Sequence, residues 1–456
     1  MEIFFIKAFQ LILCLSLLIV LHEGGHFLFA KLFKIRVEKF CLFFDPWKSW
    51  KLFSFRGTDY HIGWLPLGGY VKISGMIDES MDTEAMKQPV QSWEFRAKPA
   101  WQRLFVMIGG VLVNFLFAMF IYAMILFTWG EQFIPIEKMN QGFEYNKSAL
   151  ALGFQDGDIP IRTNQGDLER FNGNAIRMIS EASSVTVLRN GTEVEITTPG
   201  NLNLLEMLQS QPPFIAPRCP ALIDSVLPKS PAQTAGLKKG DRILAFNQEN
   251  IDSWNDFDFC VNDLKALITH YTPNNQTKAD SLRQVAMVVQ HVGSQLPDTL
   301  QVTLNEEGAF GFIKNYEAVN YPITTRHYSF LESFPAGCRL GWEVLSGYVS
   351  DLKYLFTAEG AKSIGSFGTI GSMFPSTWDW QSFWELTALI SLILAVMNIL
   401  PIPALDGGHV LFLLYEVITR RKPSDKVMEY MQIIGMWLLI GLMCYAIFND
   451  VVRFVF

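Results

Sequence analysis

Apolar residues run almost unbroken over three stretches of the chain, from about Ile3 to Phe33, about Leu104 to Trp129 and about Phe383 to Leu400. A weaker run covers about Met431 to Phe448. Each approaches the ~20 residues that cross a bilayer core as a helix, so the pattern predicts four transmembrane helices. A cleaved signal peptide is the bland reading of the first run. That run is too long for one and lacks a small-residue cleavage site. Lys7 is the only base before or near its start, whereas Lys31, Lys34, Arg36 and Lys39 follow. The positive-inside bias then places the N-terminus outside, residues 34–103 in the cytoplasm and residues 130–380 outside. Residues 401–430, with Arg420, Arg421, Lys422 and Lys426, return to the cytoplasmic side.

Between the second and third apolar runs the pattern becomes mixed, and it repeats. Ser148-Ala149, Gly153-Phe154, Gly157-Asp158 and Asn164 recur at constant offset as Pro231-Ala232, Gly236-Leu237, Gly240-Asp241 and Asn247. Repetition on this scale indicates repeated domains. The second copy reads as a strand, a short helix stopped by glycine, a tight turn and another strand. It resembles a PDZ domain of the bacterial type, and the first copy resembles a more divergent one. Such a fold binds an extended peptide along a sheet edge. Two small α/β domains with another role are the competing reading.

Composition agrees with a chain partly in lipid and partly in water. Of 456 residues, 50% are apolar and 18% charged. The net charge of −7 is spread without long acidic or basic runs, which leaves no footprint for nucleic acid. The six cysteines are scattered without a Cys-x-x-Cys pair, so they suggest neither a metal cluster nor a disulfide framework. Cys219 and Cys260 form a pair only on the expectation that their segment is exported.

Chemistry is concentrated at two places. His22-Glu23-Gly24-Gly25-His26 matches His-Glu-x-x-His, which on a helix puts both imidazoles on one face within reach of one zinc ion. The motif lies at the inner end of a membrane helix, where ionisable groups are costly and mark sites. The adjacent glycines also cost up to ~1 kcal/mol each in a helix, and close approach of a metal, a water or another backbone would compensate. Polar residues snorkelling to the interface, or an ion path, are the alternatives. Two histidines leave a catalytic zinc one protein ligand short. The candidate is Asp406, in Asn398-x-x-Pro401-x-Pro403-x-Leu405-Asp406-Gly407-Gly408-His409. The prolines end the third apolar helix, and Asp406 follows in a turn at the same expected depth as His22 and His26. A helix N-cap is the bland role for Asp406. His409 ranks below it as a ligand.

Together these motifs resemble the site-2 protease family of intramembrane zinc metalloproteases, in its bacterial branch of the regulator of sigma E protease type. The resemblance extends from Val20 to Phe448. It implies Zn2+ held by His22, His26 and Asp406, with Glu23 as catalytic base. It implies a substrate-holding role for Asn398, with Pro401 and Pro403 in the same motif. His61 to Ser74, with Gly68, Gly69 and Tyr70, resembles the family's re-entrant β-hairpin, and Gly110-x-x-x-Asn114 resembles its motif at the start of the second core helix. Val111 stands where proline is common, Ile393 where some members carry asparagine, and Ser366–Gly371 resembles a family segment but lacks its proline.

The expected architecture is a polytopic α-helical membrane protein of about four transmembrane helices, with a membrane-associated β-hairpin and two extracytoplasmic PDZ-like α/β domains. Its expected divisions are a first transmembrane helix over 1–36, a cytoplasmic and re-entrant β region over 37–100 and a second helix over 101–130. PDZ-like domains follow over 131–215 and 216–325, then a linker with an amphipathic segment over 326–381. The third helix covers 382–409, a cytoplasmic segment 410–430 and the fourth helix 431–449. The resemblance implies a monomer in the bacterial inner membrane, with its active site toward the cytoplasm and its PDZ-like domains in the periplasm. It implies as substrates single-pass membrane proteins already trimmed by another protease, namely anti-sigma factors and remnant signal peptides. A non-catalytic PDZ scaffold is the alternative. A transporter would need polar residues spread through several helices, and a water-soluble metalloprotease would not carry its motif after an apolar run.

Overall fold

The computed structural model describes residues 2–45, 47–66, 68–76, 89–210, 212–272, 275–306, 308–315, 319, 321–421 and 424–455. Lys422, named above, lies outside them. The chain divides into one unit of residues 1–131 with 326–456 and a second of residues 132–325.

The first unit contains the helices long and apolar enough to cross a membrane. These are α1 (Glu2–Leu32), α2 (Ala100–Thr128), α5 (Trp380–Ile399) and α7 (Asp425–Val455), as the apolar runs predict. Helix α3 (Phe330–Asp351) lies in the segment read as a linker and packs against α2. Its Gly337 abuts Ala123, leaving no room for a side chain. Short α4 (Phe367–Met373) precedes α5, and α6 (Asp406–Thr419) follows it.

Helices α1 and α2 meet at glycine. A Cβ on Gly25 would lie 2.2 Å from the Gly109 carbonyl oxygen, and one on Gly110 would lie 2.5 Å from His26 Nε2. The second glycine of the His-Glu-Gly-Gly-His run is therefore a backbone contact. Gly24 faces open space.

After α1 comes a four-stranded sheet of β1 (Val37–Leu42), β2 (Trp50–Phe55), β3 (Thr58–Ile62) and β4 (Tyr70–Ile73) in the order β2-β3-β1-β4. This corrects the hairpin expected over His61–Ser74. Strands β3 and β4 do not pair with each other, because β1 lies between them, parallel to β3 and antiparallel to β4. The true hairpin is β2–β3, turned at Arg56-Gly57, both with positive φ. Strand β4 is left as a terminal strand of the sheet.

The second unit bears out the repeat. The strand order Gly166–Asp167, Ile159–Thr163, Ser184–Arg189, Thr192–Thr197 recurs as Glu249–Asn250, Arg242–Phe246, Gln284–Gln290, Asp298–Thr303. Asn146 caps a short helix in one copy and Ser230 in the other. The Gly-Asp aspartates do the same work in both. Asp158 accepts from Gln155 N and Arg189, and Asp241 accepts from Lys238 N and lies 2.9 Å from His291 Nδ1. Each copy has its own core, one around Phe143, Phe154 and Val185, the other around Phe246, Trp254 and Val285. Cys219 and Cys260, whose pairing the sequence left open, are not joined by a disulfide, and Cys219 Sγ donates to the Asn315 carbonyl.

Glu144 joins the two copies, accepting from the backbone N–H of Cys219 and of Asn255. Burial pushes its carboxyl up to about 7, against the lowering effect of the Ser253 hydroxyl and these N–H groups. An acid raised in this way is most favourable to folding when protonated. Its contribution, on the order of 3 kcal/mol at most, is therefore fully present at acidic pH and lost as pH rises through about 7. Limited proteolysis between the two cores of the intact protein is expected to be slower at pH 6 than at pH 8. That difference should vanish in Glu144→Gln.

At the helix contact, Gly25→Ala should destabilise the detergent-solubilised protein by about 1–3 kcal/mol through overpacking. Gly24→Ala should leave stability unchanged or slightly raised. Thermal unfolding of the two variants side by side reads the difference.

Candidate metal centre

His22 and His26 project from one face of α1, a turn apart. Asp406 reaches them from a distant part of the sequence. Helix α5 stops at Ile399 because Pro401 and Pro403 cannot continue it. The loop returns through Ala404, whose φ of 75° is costly for a residue other than glycine. Leu405 takes the N-cap position and Asp406 the first turn of α6. The carboxylate is therefore not spent on capping. Gly407 fits against the Leu400 carbonyl oxygen, where a Cβ would sit 2.0 Å away. At the far end of α6, Glu416 accepts from Arg103 of α2 in a largely buried pair that fixes the helix.

The three donor atoms form a nearly equilateral triangle. His22 Nε2 lies 3.1 Å from Asp406 Oδ2, His26 Nε2 lies 3.3 Å from the same oxygen, and the two Nε2 atoms are 3.3 Å apart. These are not hydrogen bonds that satisfy the carboxylate. His26 Nδ1 lies 2.8 Å from the Val106 carbonyl and must donate to it, which leaves Nε2 of the neutral ring as a lone pair. Asp406 Oδ2 is buried without a hydrogen-bond partner of acceptable geometry. Three lone-pair donors thus face one point. A tetrahedral zinc with bonds of about 2.0 Å holds its ligands about 3.3 Å apart, so the donor set and its spacing fit that ion. Among the described residues this is the group with the composition and proximity to hold a metal.

Helix α2 supplies the surroundings. Asn114 is buried, and its side-chain nitrogen lies 3.4 Å from His22 Nδ1 while its oxygen lacks a partner. Exchanging the two ends of that amide turns the unpartnered oxygen toward Nδ1, where it accepts the ring proton. Asn398 approaches the other side of His22, at 3.4 Å from Nε2. Two turns earlier on α5, Ser391 donates to the Asn114 carbonyl and ties the helices together.

The triangle opens into a cavity of about 500 Å³. Glu23, Asn114, Asn398, Gly68, Gly69, Tyr70 and His409 all line it. His409 lies outside the donor triangle. Pro401 and Pro403 do not line the cavity. Pro403 packs instead against Gly435 of α7, where a Cβ would meet its carbonyl oxygen at 1.9 Å. The stretch beginning at Ser366, which resembles a family segment, supplies a further wall whose attachment no motif announces. Phe367, Ile370 and Met373 of α4 form part of the wall, and α4 is held by Asp450 of α7. The Asp450 carboxylate accepts from the N–H groups of Ser366, Gly368 and Thr369 and from the hydroxyls of Ser366 and Thr369. An aspartate near the end of an apolar helix was the available signal.

Asp450→Ala removes the charged acceptor that serves those donors. Hydrogen exchange across 366–373 is expected to rise by about 10-fold or more, the equivalent of losing one charge-assisted bond, with the fold otherwise retained.

The model of Peptidase family M50 matches residues 10–442 of the chain. Among curated proteins, the chain is 28% identical over 475 residues to the regulator of sigma-E protease RseP of Escherichia coli, covering 97% of each. It is 29% identical over 466 residues to protease RseP of Yersinia pestis, again covering 97% of each. A Vibrio cholerae protein bearing a zinc metalloprotease name is 28% identical over 468 residues, covering 97% of each.

Proposed function

The chain belongs to peptidase family M50 and is an intramembrane zinc metalloprotease of regulated intramembrane proteolysis; on that footing we propose that His22, His26 and Asp406 hold the zinc and that Glu23 is the catalytic base. The observation that carries the assignment is the triangle of lone-pair donors at zinc spacing, with a buried carboxylate oxygen that nothing else satisfies.

Zinc bound there supplies Lewis-acid chemistry, polarising a scissile carbonyl and making water acidic near neutral pH. The residues of the chain do the rest. Val106 and Asn114 hold the Nδ1 protons of His26 and His22, which orients both rings and keeps Nε2 free. Glu23 takes a proton from the attacking water on its carboxylate and returns it to the leaving amine nitrogen. A transmembrane substrate must first unwind, since its peptide groups are tied up within its own helix. The free edge of β4 offers replacement partners, and the chain just before it touches α1 beside Glu23. Asn398 is placed to hold the substrate backbone next to His22.

The finer reading assigns the two repeats of residues 132–325 to PDZ-like domains on the periplasmic side of a bacterial inner membrane. They would screen out substrates not yet trimmed by another protease. Support comes from the repeated topology and separate cores, and from the basic residues that flank the inner helix ends. The family resemblance points to anti-sigma factors and remnant signal peptides as the substrate classes, and one relative is named a regulator of sigma-E protease. A single chain contains the whole donor set, which supports action as a monomer. A non-catalytic scaffold is not favoured.

Purified protein is expected to contain one zinc per chain, and Asp406→Ala to lose it on metal analysis. Glu23→Gln should keep the metal while cleavage of a truncated single-pass substrate in membranes falls by about 10²–10⁴-fold. Retained cleavage by Glu23→Gln would end the catalytic assignment.

A further inference from the structure

The sheet beside the metal centre contains a polar cluster that neither the zinc chemistry nor the backbone ladder uses. Tyr70 opens β4, and its ring walls the cavity with Glu23. Lys39, on central strand β1, donates to the Tyr70 hydroxyl at 2.6 Å and to Ser49 Oγ at 3.2 Å, and pairs with Asp45. Its ammonium also lies over the Tyr70 ring, 5.1 Å from the centroid. Asp45 thereby anchors the ammonium that holds the Tyr70 hydroxyl. Ser49 Oγ lies 2.9 Å from His61 Nδ1 on β3. The cluster therefore ties the loop between β1 and β2, together with β3, to one tyrosine.

Sheet stability does not call for this arrangement. Strand β4 is already paired with β1 through its backbone, Phe40 opposite Val71 and Cys41 opposite Tyr70. Lys39 is 21% and Asp45 12% exposed, and an ion pair so largely withdrawn from water adds little net stability, because desolvation offsets the attraction. What the pair does determine is the position of Tyr70. The residue before it, Gly69, lies against α1, so that a Cβ there would be 2.8 Å from Ile19 Cγ2 and 3.4 Å from Glu23 Cγ. A shift at the start of β4 is thus a shift of the substrate-pairing edge relative to the base. A displacement of one residue along that edge exchanges one peptide bond for the next and reverses the side chains.

We propose that Tyr70, clamped by Lys39 and Asp45, sets the register in which an extended substrate strand lies on β4 and so selects the peptide bond that is cut. This rests on the protease reading above. Tyr70 acts as a specificity-determining residue, and Lys39 and Asp45 act through it as positioning residues. The clamp has three members because a lone phenol at a sheet edge is free to rotate about χ1, whereas here an ammonium holds the phenol and a carboxylate holds the ammonium.

The test uses the full-length protein in proteoliposomes with a single-helix model substrate of leucine and alanine, with a central serine-glycine pair. Product ends are read by mass spectrometry. The parent protein is expected to cut one dominant bond. Tyr70→Phe, which removes one oxygen, and Lys39→Met should spread cleavage over neighbouring bonds. They should raise KM by about 2- to 13-fold, the equivalent of one hydrogen bond, with a smaller change in kcat. Lys39→Arg should restore the single product. A single unshifted product end in both Tyr70→Phe and Lys39→Met, whether at full or reduced rate, overturns the register role. If Lys39→Met does not fold, Tyr70→Phe decides alone. Failure of the parent protein to cleave in a Glu23-dependent manner would instead sink the protease reading.

Discussion

Two helices can share a metal only if their backbones come close enough for side chains of ordinary length to meet, and here glycine makes that approach. Gly25 and Gly109 bring α1 and α2 into direct backbone contact, and Gly110 leaves the space that the two imidazoles occupy. With α2 at this distance, the Val106 carbonyl reaches His26 Nδ1 and Asn114 reaches His22. Both rings then point Nε2 at the same place. A larger side chain at any of these glycines would displace the donors themselves, so the packing of the helix pair and the chemistry of the site are one constraint.

The third donor arrives by a different route. Asp406 is neither on α1 nor on α2, and its position depends on a break in α5 imposed by two prolines, a strained Ala404 and a close fit of Gly407. The Arg103–Glu416 pair holds the other end of α6 to α2. Each of these features costs free energy locally, and together they aim a carboxylate oxygen, Asp406 Oδ2, that has no hydrogen-bond partner of its own. A buried anion facing two lone pairs is unfavourable by itself, and a divalent cation between them reverses the sign of every one of those interactions.

Around this centre the cavity is walled by segments that depend on single polar anchors. Helix α4 is held by Asp450, and Tyr70 at the start of β4 is held by Lys39 and Asp45. In a low-dielectric setting such contacts are stronger and less exchangeable than on a wet surface. The walls are defined by specific bonds even though most of the lining is apolar, which suits the proposed role of the site in admitting a greasy strand and placing one bond beside Glu23.

The four long helices, the repeat and the His-Glu-x-x-His and Leu-Asp-Gly motifs were legible in the residues alone, because hydropathy, self-similarity and i to i+4 spacing are local properties. So was the expectation that the paired glycines near His22 answer a close approach. Which glycine does so was not, since it depends on where α2 packs. The hairpin expected at His61–Ser74 failed for the same reason: strand partners are a non-local choice, and β1 intervenes. The Glu144 junction and the attachment of α4 through Asp450 join residues far apart in the chain, and no periodicity announces them. The sequence by itself determined the long apolar helices, the repeat and which atoms can bind a metal. Only the tertiary structure decided that three of those atoms sit about 3 Å apart, because that distance is set by how closely backbones without side chains can pack.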